Sequence, residues 1–352
     1  MGSNNRTPMI GILVSKADDE RMFKGDIEFF IQLLQQINKS GSTGFLFTLD
    51  DIQKDYIQGY TYSALNNKWK SKKLPYPHVI YNRIASRKDE ATVHFLKLKK
   101  LYRNKNRYFF NPGFFDKWKC YKVLASSDKL KTFLPNTWLY TTIDDLLDKL
   151  TIQHSVYIKP IQGFKGNGIY KLTFDGVRYT VYKRQKKSTY SHADFVSKIS
   201  KIVQKKPYII QSEIHTDTIG QRKYDLRVIC INGDSTYRIK GIGIRQAEKD
   251  SIITHVPNGG DILSVDVIKH KLSMQQLETL ADSIGYTLAR TYGFIGEFSI
   301  DIGLEPNGHP IVFEVNSKPM KFDEDEIQTV RIKELGKLCC QLANTTVKSE
   351  LS

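Results

Sequence analysis

The sequence predicts a mixed α/β (α+β) protein of two or three domains, and three observations carry that expectation. Strand-like and helix-like runs alternate through the first 112 residues, a glycine-rich turn joins two strand-like runs in the middle, and the last third combines amphipathic helices with a strand hairpin. At 352 residues the chain also exceeds the roughly 250–300 at which a single core stops growing.

Met9 to Val14 (MIGILV) is a short apolar run of strand length, and an amphipathic helix over Asp26 to Asn38 follows, with Ile27, Phe30, Ile31 and Leu34 on one face. Gly44 to Leu49 and His78 to Tyr81 read as further strands, closing a small α/β unit near Pro112. No glycine fingerprint follows the first strand, so a GxGxxG dinucleotide site is unsupported there. Asn111-Pro112-Gly113 breaks the chain before a helix over Asp116 to Ser126. A strand at Thr137 to Tyr140, a helix over Ile143 to Leu150 capped by Thr142 or Thr141, and a strand at Ser155 to Lys159 come next. Strands at Ile169 to Phe174 and Arg178 to Lys183, then a helix over His192 to Val203, complete a separate lobe. Strands at Tyr208 to Ile214, Asp225 to Ile231 and Ser235 to Ile244 precede a helix over Ser273 to Tyr292, the hairpin and a terminal helix over Asp323 to Leu342. No repeat or low-complexity tract interrupts them.

The 40 % hydrophobic content fits a soluble globular protein, no run approaches the 18 or more apolar residues of a membrane span, and Met1 to Pro8 are polar with no signal-peptide core. Cys120, Cys230, Cys339 and Cys340 lack CxxC spacing and read as free thiols of a reducing cytosol. Charge is the strongest compositional signal: 53 Lys+Arg against 37 Asp+Glu gives +16. An acidic partner is expected, and nucleic acid, a nucleotide with an anionic acceptor, or an anionic surface would each satisfy it. Nucleic acid is the weakest of these, because no stacking motif and no helix-turn-helix pattern is present. The lysine runs at Lys97 to Lys105, Lys183 to Lys187 and Lys198 to Lys206 fit solvated faces.

Between Ile295 and Pro319, Asn307-Gly308 favours a two-residue type I′ turn, which sets Asp301 opposite Glu314. One side then carries Glu297, Ser299, Asp301, Glu314, Asn316 and Lys318, and the other Phe298, Ile300, Ile302, Ile311, Phe313 and Val315. Like charges directly opposite destabilise a ladder by roughly 0.2–1 kcal/mol, so a cation between the two carboxylates rationalises the pattern, as a wet face with scattered acids also does. With the Asn316 amide they form an oxygen-only set suited to Mg²⁺ carried on phosphates.

Val156-Tyr157-Ile158-Lys159-Pro160 leads into a loop with Gly163, Lys165, Gly166 and Gly168, where backbone N–H groups could approach phosphate and Lys159 could reach it as a point charge; an ordinary hairpin loop is the plainer account. GxxxxGK[ST] is absent.

These segments, in this order, resemble the ATP-grasp superfamily from Asp116 to about Pro319. Asp116-Lys117-Trp118 is similar to the helix-borne lysine that reaches nucleotide phosphate, and Lys159 with the Gly163 to Gly168 loop resembles the second lysine and glycine-rich lid. Gln211, Ser212, Glu213 and Ile214 look like the hinge whose backbone holds adenine, with Gln211 where many relatives have glutamate. Asp225-Leu226-Arg227 resembles the pair directed at ribose and at phosphate or acceptor, and Gly241 to Arg245 with Asn258-Gly259-Gly260 the arginine-plus-glycine turn, without the paired arginines of some peptide ligases. Asp301, Glu314 and Asn316 match the Mg²⁺ ligands. Within the superfamily, Asn111-Pro112, Asp116-Lys117-Trp118, Tyr81-Asn82-Arg83-Ile84, Arg87 and Asn316-Ser317-Lys318-Pro319 resemble the YheC/YheD endospore coat-associated type.

The resemblance implies an N-terminal Rossmann-like pre-ATP-grasp domain (residues 1–112), a linker helix and lid (113–207) and a core subdomain (208–352). It implies ATP with Mg²⁺, or Mn²⁺, and amide formation through an acylphosphate, with Lys117, Lys159 and Arg245 neutralising charge and Arg227 directed at phosphate or acceptor. The implied partners are a carboxylate and an amine, supplied by an amino acid, a peptide or an acidic protein, in the cytoplasm or at the spore. A phosphotransferase and a non-catalytic basic coat protein remain as alternatives. Arg83 and Arg87 either clamp an anionic substrate or form ordinary pairs, and His94, His154, His192 and His255 fit surface or core positions.

Overall fold

A computed structural model describes residues 7–19, 22–163, 166–254 and 259–351. The first unit contains β1 (Met9–Leu13), α1 (Ile27–Lys39), β2 (Thr43–Phe47), β3 (Ile57–Ser63), β4 (Lys68–Leu74), β5 (Val79–Asn82), α2 (Arg87–Glu90), α3 (Val93–Asn104) and β6 (Tyr108–Phe110). Its sheet runs β4-β3-β2-β1-β5-β6, with β2, β1, β5 and β6 parallel and β3–β4 added as an antiparallel edge hairpin. Asp26 caps α1 by accepting from the Phe29 N–H at 3.1 Å, and the face the helix buries is Phe29, Phe30, Leu33, Leu34 and Ile37, rotated from the expected Ile27-centred stripe. The lysine-rich β4 has no apolar alternation to reveal it. It is held as an edge by Trp69 packing on Phe23 and Tyr62.

The second unit holds α4 (Lys117–Ala125), α5 (Asp128–Lys131), β7 (Thr137–Leu139), α6 (Ile143–Gln153), β8 (Ser155–Pro160), β9 (Tyr170–Phe174), β10 (Tyr179–Lys183), β11 (Lys186–Tyr190), α7 (His192–Val203) and β12 (Tyr208–Ser212). Its sheet order is β11-β10-β9-β8-β12-β7. The division expected after residue 207 therefore falls inside this sheet, because β12 pairs with both β8 and β7. Thr142 is the cap of α6, accepting from the Asp145 N–H at 3.1 Å.

The third unit comprises β13 (Thr218–Ile219), β14 (Arg222–Gly233), β15 (Thr236–Gln246), β16 (Asp261–Leu263), α8 (Met274–Tyr292), β17 (Glu297–Leu304), β18 (Pro310–Asn316) and α9 (Asp325–Leu351). Its antiparallel sheet runs β16-β15-β14-β17-β18, with α8 covering one face. Helix α9 lies between the other face of this sheet and the first unit: Leu335, Leu338 and Cys339 share a core with Ile229 and Ile231 of β14 and with Ile10, Leu33 and Ile37. Each fully buried leucine there contributes about 1.5–3 kcal/mol, so the last helix ties the two ends of the chain together.

The hairpin departs from the expected two-residue turn. Glu305 N–H donates to His309 O and Gly308 N–H to Glu305 O, so the loop is Pro306-Asn307-Gly308, with Gly308 at φ +84° as its left-handed residue. That tip pairs Ile302 with Val312, one residue out of the expected register. A β-bulge at Phe313 restores it, and Asp301 still faces Glu314. The buried face is consequently Phe298, Ile300, Ile302, Val312 and Val315, while Phe313 joins Glu314 on the other side.

Candidate nucleotide and metal site

Four strands and one helix end bring the charged residues together. Registers across the sheet align Gly243, Arg227, Asp301 and Glu314 in one row, and Arg245 with Asp225 in the next. Lys117, in the first turn of α4 behind its Asp116 cap, donates to Glu314. Arg245 grips Asp225 with two hydrogen bonds (Nε–Oδ1 2.8 Å, Nη2–Oδ2 3.0 Å), and its Nη2 lies 3.0 Å from Asp301 Oδ1. The carboxylates Asp225 and Asp301 hold the Arg245 guanidinium charged against the cost of its burial. Thr254 also donates to Asp225. The buried, doubly held Asp225 is thus the anchor of Arg245, rather than a carboxylate free to take ribose hydroxyls.

Lys159 stands at the end of β8, donates to Gln211 Oε1, and lies 5.8 Å from the centroid of the Phe313 ring. Burial pushes its ammonium down to about 8; Glu314 and Asp301 pull upward and Lys117 pushes further down. Gln211 spends its amide on Lys159 and on Thr137 Oγ1 at 3.1 Å. Within the hinge, Ser212 N–H donates to Asn136 O at 2.9 Å, while no described residue takes the Ile214 N–H. Glu213 accepts from Ser155 at 2.7 Å, Lys171 at 2.8 Å and Lys223 at 2.9 Å. Burial pushes its carboxyl up, but these donors outweigh it and hold the group down to about 2. Gly163, Gly166 and Gly168 line the β8–β9 loop, and Lys165 lies outside the described residues, as do Asn258 and His255.

The residues at the hairpin fit a hard cation. Ser299 Oγ is buried and takes no hydrogen bond, and Asp301 Oδ1 is buried with Arg245 Nη2 at 3.0 Å as its one partner among the described residues. Opposite them on β18 stand Glu314 and Asn316, so unused oxygen lone pairs gather on one face. Among the described residues no three His, Cys, Asp or Glu side chains cluster to form an all-protein cage.

Other candidates turn out to be structural. Glu297, expected beside Asp301 on a wet face, is fully buried between the first unit and α9, where Arg331 meets it with two 2.8 Å hydrogen bonds and Tyr81 donates to it. Arg83 reaches the same carboxylate at 3.3 Å and Pro319 O at 3.0 Å, and Arg87 Nη2 donates to Phe115 O at 2.7 Å, so neither is a free clamp. Lys318 is sealed by Glu90 at 2.5 Å, Ile84 O at 2.7 Å and Asn82 at 3.1 Å. Burial pushes Lys318 down to about 8 despite Glu90. Arg227, by contrast, stays in the charged row opposite Asp301, with Nη2 donating to Met320 O at 3.2 Å and the guanidinium lying over the Phe322 ring. His94 is exposed, His154 ends α6 at φ +56°, and His192 touches the Tyr179 hydroxyl at 3.4 Å. Phe313 and Thr254 had no motif to announce them: a bulge and a long loop bring them in.

Known proteins share this architecture. The chain is 29 % identical over 331 residues to the endospore coat-associated protein YheD of Bacillus subtilis (strain 168), covering 89 % of this chain and 72 % of YheD. The fold is similar to D-alanyl-alanine synthetase A from Vibrio cholerae O1 biovar eltor, with a TM-score of 0.58 at 12 % identity over 97 % of this chain and 99 % of that one. It is also similar to the ATP-grasp ligase PsnB, complexed with a phosphomimetic variant of a minimal precursor, Mg and ADP, with a TM-score of 0.51 at 12 % identity over 98 % and 99 % of the two chains. The family model of YheC/D-like ATP-grasp proteins matches residues 106–343, and the chain belongs to that family.

Proposed function

We propose that this chain is an ATP- and Mg²⁺-dependent carboxylate–amine ligase that forms an amide bond through an acylphosphate. The observation that carries the reading is the charged row itself: two facing carboxylates with unused oxygen lone pairs, flanked by Lys117, Lys159, Arg227 and Arg245. Asp301, Glu314 and Asn316 would hold Mg²⁺, which when bound draws charge off the phosphates. Lys117, now on Glu314, and Lys159, now on Gln211, are placed to transfer to phosphate oxygens when nucleotide enters. Arg245, fixed by Asp225, and Arg227 present a rigid cationic wall to the carboxylate and to the transferring phosphoryl group. The Ile214 N–H is available to a purine edge. The fold likeness to a ligase complexed with a precursor, Mg and ADP, and to a macrocyclase bound with a precursor peptide, supports a peptide as one substrate class. The YheD likeness supports a role at the spore coat.

The test is incubation with ATP, Mg²⁺ and a panel of amino acids and acidic peptides. The ligase reading expects ADP and phosphate only when a carboxylate and an amine are both present. ADP formed with a polyol alone, the phosphate staying on the product, makes the protein a phosphotransferase. Nucleotide binding without turnover makes it a non-catalytic coat protein.

A further inference from the structure

We propose that Glu324 binds the amino group of the acceptor, which makes the acceptor a cationic primary amine; the assignment rests on the ligase reading above. Glu324 immediately precedes α9 and lies against the backbone of β15, where a Cβ on Gly243 would stand 2.3 Å from its Oε1. Only a residue without a side chain leaves the carboxylate that place. Gly243 pairs with Arg227, and Arg227 with Asp301, so Glu324 ends the row that contains the metal-facing carboxylates. At about 4.8 Å per strand, β15 lies roughly 10 Å from β17, so Glu324 and the metal-facing carboxylates stand on either side of Arg227.

Glu324 is half-buried and makes no ion pair with any described residue. The nearby arginines are already engaged: Arg245 with Asp225 and Asp301, Arg227 with Met320 O and the Phe322 ring. Burial pushes its carboxyl up, and Asp323 adds to this against the pull of its own N–H, Arg227 and Arg245. A carboxylate partly withdrawn from water and lacking a cation is stabilised by an incoming ammonium. In the reaction one ammonium proton passes to Glu324, and the freed nitrogen lone pair attacks the acyl carbon. The new C–N bond forms as the acyl C–O bond to phosphate breaks, and phosphate leaves with that electron pair and takes the second amine proton.

The full chain is assayed with ATP, Mg²⁺ and the carboxylate that supports ADP release, using either hydroxylamine, neutral at pH 7, or the cationic amines lysine and glycinamide. The expected result for Glu324→Gln is a KM for lysine and glycinamide raised at least tenfold while hydroxamate forms within twofold of the wild-type rate. Gly243→Ala, which keeps every charge but displaces Glu324, should show the same split. Wild-type amide and hydroxamate formation with an unchanged KM for both amines in both variants overturns the Glu324 assignment and leaves the ligase reading standing. Absence of hydroxamate and of amine-dependent ADP from the wild type overturns the ligase reading, and the assignment with it. Melting temperatures of the two variants within a few degrees of wild type show that the split is not a folding defect.

Discussion

Asp301 and Glu314 face each other across the β17–β18 ladder, and each is met by a cation of the protein: Arg245 stands 3.0 Å from Asp301, and Lys117 bonds to Glu314. The repulsion of the facing pair is thereby relieved before any ligand arrives. Under the proposed function, a metal held there would compete with Lys117 for Glu314.

Replacing Glu314 by alanine should leave the fold intact, since its side chain is 30 % exposed, and should weaken Mg²⁺-dependent nucleotide binding at least tenfold. Calorimetric titration with MgATP checks this. An unchanged affinity sinks the metal assignment.

Lys159→Ala should weaken ATP binding about tenfold, roughly 1.4 kcal/mol, without altering the dependence on Mg²⁺. Gln211 keeps its bond to Thr137 in that variant, so the hinge survives the change. Parallel titrations with and without Mg²⁺ separate the two effects, and a lost metal response would contradict the role given to this lysine.

Glu213 is held down to about 2, from an ordinary 4.5, so its bonds to Lys171, Ser155 and Lys223 stabilise the fold above pH 4.5. That contribution is lost as pH falls from about 4.5 toward 2. Thermal melts of Glu213→Gln should therefore be less steeply pH-dependent through that window than those of the wild type. Parallel curves would show that the carboxylate does not couple to folding.

Glu297→Ala leaves Arg331, 1 % exposed, without its partner, and should destabilise the chain by about 3–5 kcal/mol in denaturant unfolding. Combining Glu297→Leu with Arg331→Met removes both charges and should lose less than the single change. A double variant as weak as the single one would locate the stability elsewhere, with Arg83 the first candidate.

The pairing of Asp301 with Glu314 was legible because alternation and Asn307-Gly308 both point to it, yet the chain reaches it through two irregularities that cancel. A three-residue tip shifts the register by one, and the Phe313 bulge shifts it back. No local signal marks that bulge, so Phe313 was placed on the wrong face. Glu297 was misplaced for a different reason: alternation assigns it a face, but only α9 returning over that face seals it with Arg331. The lysine-rich β4 and β11 were missed because exposed edge strands need no apolar period.

What is local can be read along the chain: the helices near Asp26 and Asp116, a cap at Thr142 or Thr141, the alternation along β17, the glycine loop after β8, and the chemical types of donor and acceptor. Only the tertiary structure decided which charge answers which. Lys117 and Glu314 are 197 residues apart, and Glu297 and Tyr81 are 216 apart. Such contacts depend on sheet order and on register, where a shift of one residue turns a side chain to the opposite face, and no periodicity in the chain encodes that choice.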